Sequence, residues 1–289
     1  MLAIVLALAA AIGYGGSDFA AGLASRSASV IQVTLLASAV AVVVVAAALP
    51  FAAAHPPAPS AVAWGAVAGL GGTAGALALY LGFRHAAFSV AGPLSAVGAA
   101  GFSVLAGLLL GERPTPLALA GIVVALPAIV GVSASAASAG SGEDPGAPAR
   151  PAAGVAAGLV AGAGFALLFI GLNRAGSGSG LWPVAAAQVT ELVAACGVAM
   201  VTGNLRLPGA RSSRLAVITG ATGALGTILY FFATHDGFLA VTAVLTSLYP
   251  AITIVLARTL LGERLNALRL IGLSLAAVCV ALIAVGGAD

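Results

Sequence analysis

Apolar runs follow one another along the whole chain and constrain its fold more than any other feature. Only 7% of the 289 residues are charged and 61% are hydrophobic, whereas soluble domains average about 25% charged residues. A helix needs about 20 apolar residues to cross a bilayer, so the chain has room for about ten such helices and for no separate soluble domain. We therefore predict an all-α, polytopic membrane protein.

Prolines, arginines and polar clusters mark where one span ends and the next begins. The predicted spans lie near 2–24, 30–54, 61–84, 88–110, 116–135, 152–173, 182–203, 212–235, 239–261 and 266–286. A stretch rich in Gly, Pro and Ser separates the fifth span from the sixth. We predict a first five-helix unit over 1–137, a linker over 138–151 and a second five-helix unit over 152–289.

Several short motifs occur once in each half, in the same order. They are Leu110–Arg113 with Leu261–Arg264, Gly121 with Gly272, Tyr80, His85 and Phe88 with Tyr230, His235 and Phe238, and Gln32–Thr34 with Gln188–Thr190. Because five spans per half is an odd number, the second half must enter the membrane from the opposite side. Inverted repeats of this kind are typical of secondary transporters, whose substrate site lies at the repeat interface near the bilayer midplane.

The repeated Leu-Gly-Glu-Arg motif, the stretch Ser247–Pro250 and the opening segment Gly13–Phe19 resemble the EamA-type proteins of the drug/metabolite transporter superfamily. The resemblance implies ten helices, two EamA repeats, cytoplasmic termini, and transport of amino acids, sugars or other metabolites. The first half has Gly98-Ala99 where the second has Tyr249-Pro250. A helix break is therefore predicted at Pro250, while the proline of span four lies earlier, at Pro93.

Two acidic residues lie inside predicted spans, Glu191 near the middle of span seven and Asp18 in span one. A charge within a membrane is costly, so such a residue is a functional candidate. Helical spacing places Gln188 on the face of Glu191 and Tyr14 on the face of Asp18. These faces could bind a proton, a cation or a substrate amine, or the acids could be satisfied by hydrogen bonds between helices.

The repeat suggests which residues occupy equivalent places in the two halves. Matching Gln32 with Gln188 places Leu35 opposite Glu191, and matching the opening segments places Phe169 opposite Asp18. Each acid would then be confined to one half, which favours function over a shared structural role. Gln32 is included as a candidate binding residue on the same basis.

Three tyrosines complete the candidate binding residues: Tyr80, Tyr230 and Tyr249. Each could line a polar cavity, although tyrosine is also enriched at membrane interfaces. Pro93 and Pro250 free backbone carbonyl groups, and irregular backbone at membrane depth is tolerated where it is buried or lines a cavity. A cavity near Tyr249 is therefore predicted.

Other functions have little support in the sequence. It has no HExxH motif, no GxSxG elbow and no Cys/His cluster, so we predict no enzyme, catalytic residue, metal or cofactor. Scattered arginines exclude a nucleic-acid-binding face. A membrane-embedded enzyme, a channel or an assembly factor without transport activity stays open as an alternative. The Leu-Gly-Glu-Arg motifs are predicted to hold the turn at headgroup level and to cap the next helix.

The positions of the charged residues predict the substrate class and the orientation in the membrane. No basic residue lies near the middle of a span, which favours a small neutral, zwitterionic or cationic metabolite as the substrate. We predict that a monomer or homodimer exports this metabolite across a bacterial inner membrane. Proton exchange is a candidate for the coupling. Connections on one side hold or adjoin nine of the eleven arginines. The positive-inside rule then places both termini outside, opposite to what the family resemblance implies.

Overall fold

The computed structural model describes residues 1–51, 57–85, 88–136, 151–262 and 267–286, with the backbone alone for 80–85, 88–93, 132–136, 151–155 and 269. All regular secondary structure in these ranges is helical. The helices are α1 (Leu2–Ser25), α2 (Val30–Ala48), α3 (Pro59–His85), α4 (Phe88–Leu109), α5 (Pro116–Ala136), α6 (Pro151–Arg174), α7 (Trp182–Val201), α8 (Ala210–Asp236), α9 (Leu239–Thr246), α10 (Tyr249–Leu261) and α11 (Ala267–Gly286).

Seven helical segments within the described residues are long and apolar enough to cross a membrane. They lie in α1, α2, α3, α6, α7, α8 and the pair α9–α10. The described apolar stretches of α4, α5 and α11 are shorter: Leu94–Leu109, Pro116–Gly131 and Leu270–Gly286. The prediction of an all-helical, multi-pass membrane protein is confirmed at this level.

The predicted helix break in span nine is present. A turn at Ser247 and Leu248 separates α9 from α10, and Pro250 lies in the first turn of α10, where its missing N–H costs no hydrogen bond. In contrast, α4 continues through Gly98 without a break. Pro93 lies on this helix, but its side chain is outside the described residues, as is the linker over 138–150.

Hydrogen bonds and contacts between α1 and α8 define the two ends of the helix bundle. Ser212 donates a hydrogen bond to the carbonyl oxygen of Ala24, and a Cβ added to Gly237 would lie 2.7 Å from the Cβ of Ala3. The two helices are therefore antiparallel. We call the end that contains Leu2 and Asp236 the proximal end, and the end that contains Ser25 and Ala210 the distal end.

Helix pairs occur in two matched sets. The first helix packs on α8 and α6 packs on α3, while α2 packs on α8 and α7 packs on α3. The closest approaches match as well: a Cβ on Gly13 would lie 2.9 Å from the Cα of Gly226, and one on Gly164 would lie 2.5 Å from the backbone nitrogen of Gly75. The interval from Gly13 to Gly164 along the sequence equals the interval from Gly75 to Gly226.

Backbone contacts of α2 and α7 correct one part of the predicted repeat. Gly220 packs on the carbonyl oxygen of Ala37, and Gly69 packs on that of Ala187. Ala37 and Ala187 therefore hold equivalent places. Equivalence of Gln32 with Gln188 was wrong, because the short shared motif lies at different heights on the two helices.

The first Leu-Gly-Glu-Arg motif makes different contacts from those predicted. Thr115 caps α5, the next helix, by accepting a hydrogen bond from the backbone N–H of Ala118. The Glu112 carboxylate accepts hydrogen bonds from the backbone N–H groups of Leu239 and Ala240 at the start of α9. It therefore joins the two halves of the chain. Glu263 and Arg264 of the second motif lie outside the described residues.

Replacing Gly164 by alanine should destabilise the protein, because the added methyl group would meet the backbone of Gly75 on α3. Overpacking of this kind costs about 1–3 kcal/mol, and we expect a lower thermal midpoint in detergent. Gly197→Ala on α7 is the control, since a Cβ there meets nothing within 4 Å. A Gly164→Ala protein as stable as Gly197→Ala would contradict the predicted packing.

Candidate functional site

A cavity of about 240 Å³ lies among α1, α2, α3, α6, α7 and α8. Most of its lining is alanine, glycine and aliphatic side chains. Its polar lining residues are Tyr14, Ser17, Ser25, Thr34, Ser38, Thr73, Gln188, Glu191, Thr219 and Thr227. A mostly apolar pocket with a few convergent polar groups is the usual form of a small-molecule site.

The cavity extends toward the distal end of the bundle. Its lining includes Ser25, Val30 and Val198, near the distal ends of α1, α2 and α7. Toward the proximal end it stops at Tyr14 and Thr227.

Beyond that level an apolar cluster fills the space between the helices. Fully buried members of the cluster include Val45, Leu172, Val184 and Leu239, and we call these four residues and the side chains packed with them the proximal plug. The chain thus encloses a cavity that reaches one end and is closed at the other.

Among the described residues that line the cavity, Glu191 is the only charged one. It is half-buried on α7, and its carboxylate lies against Gly72 of α3, where an added Cβ would come within 2.5 Å of Oε1. Among the residues that the structure describes, none forms a hydrogen bond or an ion pair with this carboxylate. Low dielectric surroundings disfavour an isolated charge, so the carboxylate is available to a proton or a cationic ligand.

Three polar side chains beside Glu191 form a hydrogen-bonded cluster across three helices. The Tyr14 hydroxyl donates to Thr227 Oγ1 at 3.0 Å, and Gln188 Nε2 approaches the same oxygen at 3.5 Å. Thr227 in turn donates to the carbonyl oxygen of Gly223 at 3.1 Å. The cluster links α1, α7 and α8. Its amide and hydroxyl groups include both hydrogen-bond donors and acceptors.

Gln188, Glu191 and Tyr14 all line the cavity, and their role as binding residues stays a prediction. Thr227 was missed, because threonines are common in these helices and nothing in the sequence singles it out. Gly72 was missed for a similar reason: its role is to leave room for the carboxylate of another helix.

Asp18 and Gln32 do not line the cavity. Asp18 is exposed on α1, three residues beyond Gly15, which packs on α10 at Ile252. Gln32 is half-buried on α2, and its neighbours Ile31 and Val33 line the cavity instead. Spacing along one helix predicts which residues share a face, but the neighbouring helices decide which part of that face meets the cavity.

The predicted tyrosines have other surroundings. Tyr230 is fully buried, donates a hydrogen bond to the carbonyl oxygen of Phe169 at 3.3 Å and stacks on that ring at a centroid distance of 4.4 Å. Tyr249 is half-buried at the start of α10, outside the cavity lining. The Tyr80 side chain lies outside the described residues. The described cavity lies instead among α1, α2, α3, α6, α7 and α8.

Comparison with known proteins agrees with the fold and with the sequence motifs. A solved structure described only as the crystal structure of a protein matches with a TM-score of 0.72 and 19% identity, covering 96% of this chain and 98% of the other. At that identity the likeness shows the fold alone. No curated protein matches the chain. Residues 1–134 match the EamA-like transporter family, so the resemblance predicted from the motifs is confirmed over this part of the chain.

Proposed function

We propose that this protein is a secondary transporter that exports a small cationic, zwitterionic or neutral metabolite by alternating access, in exchange for protons. The observation that carries the proposal is the cavity itself, which holds one carboxylate and no basic side chain among the described residues that line it. The family match supports membrane transport, and the cavity chemistry supports the finer parts of the proposal.

Alternating access is favoured by the matched packing of the two halves. We propose ten transmembrane helices in two inverted repeats, over 1–137 and 152–289, with α9 and α10 forming one span. Equivalent contacts at Gly13 and Gly164 and at Gly69 and Gly220 support this arrangement. In an inverted repeat, exchanging the conformations of the two halves turns a cavity open at one end into a cavity open at the other.

The substrate class follows from the charge and size of the cavity. A phosphorylated sugar would require Arg or Lys beside its phosphate, and the lining residues that the structure describes include neither. An amine can pair with Glu191 while its other polar groups meet the Tyr14, Thr227 and Gln188 cluster. At about 240 Å³, the cavity is smaller than the roughly 300–1,000 Å³ typical of drug-sized ligands, so the substrate should be small.

Proton exchange follows from the position of Glu191. An ionised carboxylate without a partner is costly in a closed, low-dielectric cavity, so the closed states should carry either a proton or a cationic substrate on Glu191. The two ligands would then compete for one group. Competition of this kind couples the outward movement of one to the inward movement of the other.

Export is favoured by the direction in which the cavity extends. It reaches the distal end, where seven of the nine arginines within the described ranges lie in or beside helix connections. By the positive-inside rule the distal end would face the cytoplasm, so this conformation would load substrate from inside the cell.

Glu191→Gln should abolish substrate-driven proton movement in liposomes while the protein still folds and inserts, because the amide keeps the shape of the side chain but cannot exchange a proton. Asp18→Asn is the matched control, since it neutralises an acid outside the cavity. The measurement is internal pH on addition of a panel of small amines and amino acids. Wild-type proton movement in Glu191→Gln would refute the role of this residue, and its loss in Asp18→Asn alone would move the role to Asp18.

Thr227→Val should weaken substrate binding about tenfold or more, because it leaves the buried donors of Tyr14 and Gln188 without their shared acceptor. Thr222→Val on the same helix is the control, since that hydroxyl bonds only within α8. The measurement is the substrate concentration that gives half-maximal proton movement. Equal values in the two variants would show that the cluster does not contact the substrate.

Saturable transport of a phosphorylated sugar by the purified protein would contradict the proposed substrate class, because no lining residue provides the cationic partner that a phosphate requires. We expect no such transport in liposomes that transport an amine. The amine signal in the same vesicles is the internal control.

A further inference from the structure

The Glu112 carboxylate is bound at the N-terminus of α9, across the boundary between the two halves of the chain. It accepts hydrogen bonds from the backbone N–H of Leu239 and, at 2.9 Å, from that of Ala240. Hydrogen bonds to an ionised acceptor are about twice as strong as neutral ones, and the positive end of the α9 dipole adds to the attraction. We call these two hydrogen bonds the Glu112 clamp.

The end of α4 aims the carboxylate at α9. Gly111 adopts a left-handed conformation with φ +93°, and the backbone N–H of Glu112 donates to the carbonyl oxygen of Gly107 at 3.0 Å. Together with the bond from Gly111 to Leu108, this is a Schellman motif. The carboxylate occupies the space above Gly107, where a Cβ would collide with Oε2.

The clamp is connected directly to the proximal plug. Leu239, whose backbone N–H it binds, is fully buried in the same cluster as Val45, Leu172 and Val184. The first turn of α9 therefore holds the plug on one side and the carboxylate on the other. Moving this turn away from α4 would break both hydrogen bonds and open the plug.

We propose that the Glu112 clamp is the lock of the proximal gate, a positioning device that keeps this end of the transporter closed while the cavity reaches the distal end. The inference rests on the proposed alternating access. It assigns the gate to a backbone cap rather than to an ion pair between side chains. Glu112 is half-buried, so water can solvate the carboxylate when the lock opens.

A purely structural role for the clamp would have a different signature from a lock. Loss of a structural cap would loosen the whole fold, so every buried group would become more accessible. Loss of a lock would raise the accessibility of the proximal plug alone. The chain contains a suitable internal reference in Cys279, a fully buried thiol on α11, which packs on α5.

The experiment measures the rate of N-ethylmaleimide labelling in nanodiscs, where both ends of the protein are accessible. The parent protein carries Cys196→Ser and a reporter, Val45→Cys, in the plug, and retains Cys279. Glu112→Gln and Gly107→Ala each weaken the clamp, the first by removing the charge and the second by displacing the carboxylate. Arg113→Gln and Gly101→Ala are the matched controls, since Arg113 is exposed and a Cβ on Gly101 meets nothing within 4 Å.

We expect both clamp variants to label Val45→Cys about tenfold faster than the parent, since the charge-assisted bonds lost are worth about one order of magnitude or more. Labelling of Cys279 should not change, and both controls should match the parent. An unchanged rate at Val45→Cys in both clamp variants, or an equal increase at Cys279, would overturn the proposal. No substrate is present, so this result is independent of whether the liposome assay supports the proposed function.

Discussion

Close approach of helix backbones is the constraint on which this structure depends. Lipid is as apolar as the helix surfaces, so association must come from van der Waals packing and hydrogen bonds rather than from the hydrophobic effect. The glycine contacts of α1 with α8 and of α6 with α3 supply that packing. Because these two pairs fix the positions of four helices, the cavity lies in the space that they and α2 and α7 leave open toward the distal end.

The matched halves differ most at the site. Where the second-half helix α8 has Thr227 and α7 has Glu191, the equivalent places in α3 and α2 have Ala76 and Ala41. Tyr14 of α1 corresponds to Phe165 of α6, which packs on Gly75 as Tyr14 packs on Gly226. The shared residues build the scaffold, and the polar residues confined to one half of each pair give the cavity its chemistry.

The sequence predicts the helices and singles out Glu191 as the main candidate residue. It does not predict contacts between residues that lie far apart along the chain. The apolar runs and the rarity of charge identify the helices, and helical spacing pairs Gln188 with Glu191. The partner of Glu112 could not be predicted, since it depends on the turn at Gly111 and on a helix that begins 127 residues later. The shared Gln-Val-Thr motif was misleading, because three residues fix no height on an apolar helix.

In the proposed transport cycle, the states with the proximal end closed and with the distal end closed have to be close in free energy, because the protein would alternate between them. Burial of an aliphatic side chain such as Leu172, Val184 or Leu239 is worth about 1.5–3 kcal/mol relative to water, so wetting the proximal plug is costly unless an equivalent surface is buried elsewhere. In an inverted repeat the distal end offers that surface when it closes, so most of the cost cancels. The residual difference is then small enough for one ligand on Glu191 and the two hydrogen bonds of the Glu112 clamp to decide which end is open.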